Sequence, residues 1–175
     1  GCHDAALGFG VPFISGKDSL YNQSKDLNGR ELAVPGTLLI SAIAPLADVR
    51  KALTMDIKGP GNALYLVGWT SEELGGSLYN EICGLNSGCV PEVEVRSAAD
   101  SFRAVQGAIA KGLVLSAHDL SEGGLAVAAA EMGFAGEVGA TLDLDCVLRP
   151  RDLEDEAVLL FAETPGRLLV EVSAD

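Results

Sequence analysis

The residue types that handle polyphosphate meet between Ser116 and Leu125, in the run Ser-Ala-His-Asp-Leu-Ser-Glu-Gly-Gly-Leu. A strand is expected to empty into this run and a helix to open from it. Such a junction points backbone N–H groups and the positive end of a helix dipole at whatever binds there. Gly123 and Gly124 let a phosphate approach the backbone closely. Asp119 is a hard oxygen ligand of the kind Mg²⁺ takes beside nucleotide phosphates, and Ser121 can donate to a phosphate oxygen. The same residues also suit a plain helix start, with Asp119 or Ser121 as N-cap and Glu122 favouring the first turn. On the residues alone both readings stand. His118 reads as a hydrogen-bonded structural residue. Beside Asp119 it makes no triad, because adjacent residues point differently, and with His3 the only other histidine a nucleophilic hydrolase is a poor reading.

A second run, Gly16-Lys17-Asp18-Ser19, places a counter-charge, a carboxylate and a hydroxyl after an apolar stretch. It lacks the spacing of a P-loop and is equally ordinary turn chemistry. Leu74-Gly75-Gly76-Ser77 suits either a backbone cradle or a tight connection. Pro165-Gly166-Arg167 reads as a turn before a strand, with Arg167 in a surface ion pair rather than on a phosphate, and Glu72-Glu73 as a solvated helix end.

These runs need elements to hold them. Cys2 to Leu7 looks like the end of a helix, Gly10 to Ser15 a short strand, and Gly16 to Gly29 a polar excursion. Thr37 to Ala44 is apolar and long enough for a buried strand, Asp48 suits the cap of a short turn, and Lys58 to Asn62 a linker or tight loop. A domain boundary is placed there: 1–58 as the tail of a preceding domain, 59–175 as an α/β domain cut short, the chain being expected to be a fragment at both ends. Ala63 to Gly68, Leu113 to Ser116, Thr141 to Leu144 and Arg167 to Val172 are expected strands. Helices are expected over 97–111, with Gly112 at C′, over 125–134, ended by Gly136, and over 153–161. Strands alternating with helices predict a layered α/β arrangement.

Composition narrows the function classes. A formal charge of −13 with only 12 Lys and Arg, none clustered, argues against nucleic acid, whose binding needs basic residues to replace counterions. It leaves phosphate ligands open, since backbone N–H groups and Mg²⁺ can hold them. Apolar residues at 48% allow a sizeable core, and aromatics at 5% leave Leu, Val, Ile and Ala to fill it. The cysteines Cys2, Cys83, Cys89 and Cys146 form no CxxC pair and fit free thiols in a reducing cytosol. No apolar run approaches the ~20 residues of a membrane span, and no signal peptide is visible, so a cytoplasmic location is expected.

Taken in order, Gly10 to Leu20, Pro35 to Ser41, Leu74 to Ser77, His118 to Ala126 and Pro165 to Arg167 resemble the phosphoribosylformylglycinamidine synthase family, in the aminoimidazole ribonucleotide synthetase superfamily. The resemblance implies an ATP-dependent carbon–nitrogen ligase of purine biosynthesis. Formylglycinamide ribonucleotide, ATP and glutamine-derived ammonia would give the amidine, ADP and phosphate, with Mg²⁺ neutralising charge. It implies two pseudo-symmetric halves. This chain would hold the end of the second half's ATP-binding N-terminal-type domain and most of its C-terminal-type α/β domain. Partners implied are the rest of the synthase and a glutaminase domain or subunit.

By resemblance, Asp119 takes the place of the family's Mg²⁺ ligand and Ser121 that of its ATP-contacting serine, with Gly123 and Gly124 in the same loop. Gly16 and Ser19 match positions that contact nucleotide and substrate in the smaller form of the family. Lys17-Asp18 departs from the smaller form's Asn-Val, whose Asn binds metal, and follows the larger form; Tyr21-Asn22 follows the smaller. In the larger form the second half's nucleotide is structural, and in that case Asp119 and Ser121 would hold a non-reacting ADP. Whether the parent is of the larger or the smaller form stays open, and the fragment alone, without the first half and a glutaminase, is expected to be inactive. Two other readings stay open: a non-catalytic scaffold or auxiliary nucleotide-binding domain, and another ATP-dependent member of the superfamily, of aminoimidazole ribonucleotide synthetase, selenophosphate or hydrogenase-maturation type.

Overall fold

The computed structural model describes residues 1–17, 22–34, 36–86 and 88–174. Helix α1 (Cys2–Phe9) ends at Gly10 in the left-handed region, φ 69°. The polar excursion after it contains a short antiparallel hairpin, β1 (Gln23–Lys25) and β2 (Glu31–Ala33). Asp26 closes its turn, its Oδ1 accepting from the N–H groups of Asn28 (2.9 Å) and Arg30 (2.8 Å). Asp48 caps a 3₁₀ turn over Val49–Lys51, as expected.

The two apolar runs read as strands, 10–15 and 37–44, form none. Leu38, Leu39, Ile40 and Ile43 are exposed instead. A strand needs a neighbour for its N–H and C=O groups and a covered face for its side chains. Among the described residues, no strand is paired with either run.

The body is built on a three-stranded sheet of β3 (Ala63–Val67), β4 (Ser116–Asp119) and β5 (Leu168–Val172), in the order β3-β5-β4, with β5 antiparallel to both neighbours. Alternation along β5 divides its side chains between two layers. Leu169 packs with Leu125, Met132, Val158, Leu159 and Ala162, from α4 (Gly124–Gly136) and the α5 segment (Glu156–Phe161, Ala162). Leu168 and Val170 pack with Val105, Ala108 and Ile109 from α3 (Val95–Ala110). Helices thus cover both faces, the layered α/β arrangement expected.

Glu94 caps α3 by accepting from the Ser97 N–H, and Phe102 stacks on Phe9 of α1 with ring centroids 5.8 Å apart. Gly112 turns the chain out of α3 at φ 72°, and the Leu113 N–H bonds back to Ala108 O at 3.1 Å. That closure consumes Leu113, so β4 begins at Ser116 rather than at 113. The strand expected over 141–144 is absent for a similar reason. Asp143 accepts from the Asp145 N–H at 3.1 Å and starts a 3₁₀ turn over Leu144–Cys146.

Among the described residues, two charged side chains are buried in this frame. Glu171, fully buried in β5, accepts from the Lys58 N–H at 2.9 Å, from the Asn62 amide at 2.7 Å and from the Ser116 hydroxyl at 2.7 Å. The stretch 58–62, expected as a linker or tight loop, is therefore tied to the sheet. Arg167 is 1% exposed and forms no surface pair. Its guanidinium donates to Thr164 O (3.0 Å), Thr70 Oγ1 (3.0 Å) and Ala162 O. Glu73, read as solvated, has its Oε2 buried without a hydrogen bond, and its Oε1 accepts from the Glu92 N–H at 2.9 Å.

Candidate functional site

Strand β4 runs to Asp119, opposite Leu168, and the next N–H, of Leu120, goes to Arg167 O at 3.1 Å. The chain then turns through Ser121 to Gly123 and enters α4. Asp119, Ser121, Gly123 and Gly124 are therefore brought together in one turn. Gly123, at φ 80°, is the N-cap, with no side chain capping the helix. The capped-helix reading of Asp119 and Ser121 is thus not what forms, which leaves both side chains for each other.

Asp119 is exposed (67% of its side chain), and its Oδ2 accepts from Ser121 Oγ at 2.5 Å. Its Oδ1 lies 3.3 Å from His118 Nδ1, so these neighbours do meet at the strand end. The other ring nitrogen, Nε2, is 2.9 Å from Glu131 Oε2 of α4. The Ser121 hydroxyl, first, then the Asp119 backbone N–H and His118 hold the Asp119 carboxyl below the usual range, against a smaller opposing effect of burial. A carboxylate offers about four lone-pair sites, so each oxygen keeps room for a cation.

The donor set fits magnesium in the limited sense that one exposed carboxylate is what this ion takes beside phosphate oxygens. Among the described residues no group of three or more His, Cys, Asp or Glu is gathered to hold a metal. Any ion here would have Asp119 as its protein anchor and complete its shell from phosphate and water.

The glycines have a packing reason of their own. A Cβ on Gly124 would lie 2.4 Å from Ala162 O, and Gly124 has φ 63°. The Gly123 N–H donates to Glu163 Oε1 at 2.9 Å, and that same oxygen accepts from the Leu78 N–H, also at 2.9 Å. Glu163 so joins the 118–124 turn to the Leu74–Ser77 loop. There Ser77 caps α2 (Leu78–Cys83), Gly75 N–H bonds to Cys89 O at 2.8 Å, and Tyr79 stacks on Phe161 at 5.0 Å. The loop is a tight connection, and beside it opens a cleft of about 400 Å³ lined by Gly75, Gly76, Ser77 and Asn80.

Gly16 lies in the exposed stretch 11–17, outside the β4–α4 turn, with nothing within 4 Å of a Cβ placed on it. Ser19, with Asp18, Leu20, Tyr21 and Pro35, is outside the described residues. Three residues the sequence reading passed over shape the site: Glu131, Glu163 and Glu171. Two had a visible signal. Glu131 is the one charged residue in an otherwise apolar α4, and Glu171 interrupts the apolar Leu168–Val172 strand. The four cysteines are exposed free thiols, and no helix of the described residues is long and apolar enough to cross a membrane.

Residues 59–175 match the family model for AIR synthase related protein, C-terminal domain. The chain is 34% identical over 172 residues to phosphoribosylformylglycinamidine synthase subunit PurL of Zymomonas mobilis, with 97% of this chain and 23% of that protein covered. It is 37% identical over 176 residues to the subunit of the same name from Rhodopseudomonas palustris, with 100% and 23% covered. It therefore spans about a quarter of the length of these relatives. Among solved structures, T. maritima PurL complexed with FGAR is similar at TM-score 0.63 and 23% identity, covering 72% of this chain and 22% of that one. T. maritima PurL complexed with ATP is similar at TM-score 0.57 and 22% identity, covering 72% and 20%. These structures share the fold.

Proposed function

We propose, for a chain that belongs to the AIR synthase related protein family through its C-terminal domain, that it is the nucleotide-holding part of a phosphoribosylformylglycinamidine synthase. The complete protein would join glutamine-derived nitrogen to formylglycinamide ribonucleotide with ATP going to ADP, in the cytoplasm, beside a glutaminase domain or subunit. Residues 1–58 would close the preceding ATP-binding domain, and 59–175 would form the larger part of the C-terminal-type domain. The chain alone would be inactive. Support comes from the relatives named PurL and from the T. maritima PurL structures with FGAR and ATP.

One observation in this chain carries the site: Asp119 is exposed at the end of β4, its carboxylate held by Ser121 rather than spent on capping α4. Asp119 would anchor a magnesium ion and Ser121 would contact the nucleotide phosphates. Gly123 and Gly124 would keep the backbone low beside them, and Gly16 and Ser19 would contribute from the preceding segment. Bound magnesium would neutralise polyphosphate charge.

The test is titration of ADP, with Mg²⁺, into the complete protein and its Asp119→Ala form. Loss of Mg²⁺-dependent affinity in the variant is expected. Equal affinity would remove Asp119 as the anchor and favour a scaffold.

A further inference from the structure

We infer that Glu131 is a positioning residue for the Asp119 carboxylate, acting through the His118 imidazole, and that it sets how tightly a magnesium-bound nucleotide is held. The inference rests on the role proposed for Asp119 and deepens it.

Four side chains form one connected line. Glu131 Oε2 is 2.9 Å from His118 Nε2, His118 Nδ1 is 3.3 Å from Asp119 Oδ1, and Ser121 Oγ is 2.5 Å from Asp119 Oδ2. Strand alternation sends His118 to the same side of the sheet as Ser116 and Leu169, the side that α4 covers. The His118 side chain is only 17% exposed, so its ring is confined, whereas Glu131 and Asp119 are 51% and 67% exposed.

Glu131 is the only charged side chain of α4. Among the described residues its ion pair and its hydrogen bond are both with His118, and none is with a lysine or arginine. Nothing in the packing of the helix calls for a carboxylate there, since the helix buries its apolar residues elsewhere on its surface.

The physical effect follows from the fixed ring. Both contacts are hydrogen bonds when the imidazole carries a proton on each nitrogen: Nε2–H is then donated to Glu131 and Nδ1–H to Asp119, which sets the plane of the ring. The carboxylate is then held from both sides, by His118 at one oxygen and Ser121 at the other, with the remaining lone pairs facing solvent. An anchor already in its binding orientation gives up less rotational freedom on taking a cation. Without Glu131 the ring loses the acceptor that fixes its orientation, and Ser121 becomes the firmer of the two holds on Asp119.

ADP binding to the complete protein is measured with saturating Mg²⁺ and again in EDTA, for the parent, Glu131→Ala, Glu131→Gln and Asp119→Ala, with a melting curve for each. The Mg²⁺-dependent affinity is expected to fall about 10-fold in Glu131→Ala, the usual scale for losing a group that orients a metal ligand, while affinity in EDTA holds. Glu131→Gln, whose amide oxygen accepts the same N–H, should return to within about twofold of the parent. If Glu131→Ala binds Mg²⁺–ADP like the parent while Asp119→Ala does not, the inference fails and the role of Asp119 survives. An equal loss in Mg²⁺ and in EDTA, or a loss unrescued by Glu131→Gln, also overturns it, by making Glu131 a general structural residue. If Asp119→Ala itself binds like the parent, the proposed anchor falls and the inference with it.

Discussion

Glu171 of β5 accepts a 2.7 Å hydrogen bond from the hydroxyl of Ser116 in β4, and both residues are completely buried. The two stand opposite each other in the ladder. The same carboxylate takes the Lys58 N–H and the Asn62 amide, so one buried charge fastens a neighbouring strand and the chain entering the sheet.

Replacing Glu171 by alanine should therefore strip one buried and two half-buried donors of their acceptor and cost about 3 kcal/mol, with Gln costing less because its oxygen satisfies part of the set. Urea denaturation measures both. Burial pushes the Glu171 carboxyl up, but Ser116, Asn62 and the Lys58 and Gly59 N–H groups together outweigh it, and the net shift is downward. A carboxyl lowered in the folded state contributes its full stability above the unfolded value, about 4.3, and loses it as pH falls through the folded value. The stability gap between the parent and Glu171→Gln should accordingly narrow below about pH 4.

Arg167 is the second buried charge, and among the described residues it forms no ion pair with a carboxylate. Burial pushes its guanidinium down to about 10, and the negative charge of Glu73 opposes that. Arg167→Ala should cost about 3–5 kcal/mol, since it leaves Thr70 Oγ1 and the carbonyls of Thr164 and Ala162 unpaired around a cavity. Arg167→Lys should recover only part of this, because one ammonium cannot reach three acceptors set around a planar fork. Denaturation midpoints for the two variants decide it.

Gly124→Ala should destabilise the protein by at least about 2 kcal/mol, from a left-handed backbone and a clash with Ala162 O. Amide exchange should quicken in α4 and α5 together, because the clash lies where the two helices meet. Unchanged protection in α5 would refute that placement.

Ser121→Ala removes the hydroxyl that contributes most to lowering the Asp119 carboxyl. Its titration, followed by carboxyl NMR shifts, should move up toward the ordinary aspartate value of about 3.9. Folding stability near neutral pH should change little, because both side chains are exposed.

Much of the frame was readable from local pattern. The α3 helix, its stop at Gly112, the strands at 63–67 and 168–172, and the turn from Asp119 to Gly124 all follow from periodicity and from turn residues, which act over a few positions. Where expectation and structure part, a contact between distant residues or a local side-chain bond has intervened. The 37–44 run has strand composition, but among the described residues no strand pairs with it, and strand pairing is a property of two segments. Asp143 turned an alternating run into a 3₁₀ turn by bonding its own backbone.

By itself the sequence determined which side chains stand at the β4–α4 turn and that glycine follows them. Only the tertiary structure decided what those side chains do. It placed Glu131 behind His118, turned Ser121 onto Asp119, sent the Gly123 N–H to Glu163 and buried Arg167 among carbonyls. The reason is that a hydrogen bond depends on position in space to a few tenths of an ångström. Partners such as Lys58 and Glu171, 113 residues apart along the chain, are set only when the sheet and its helices close around them.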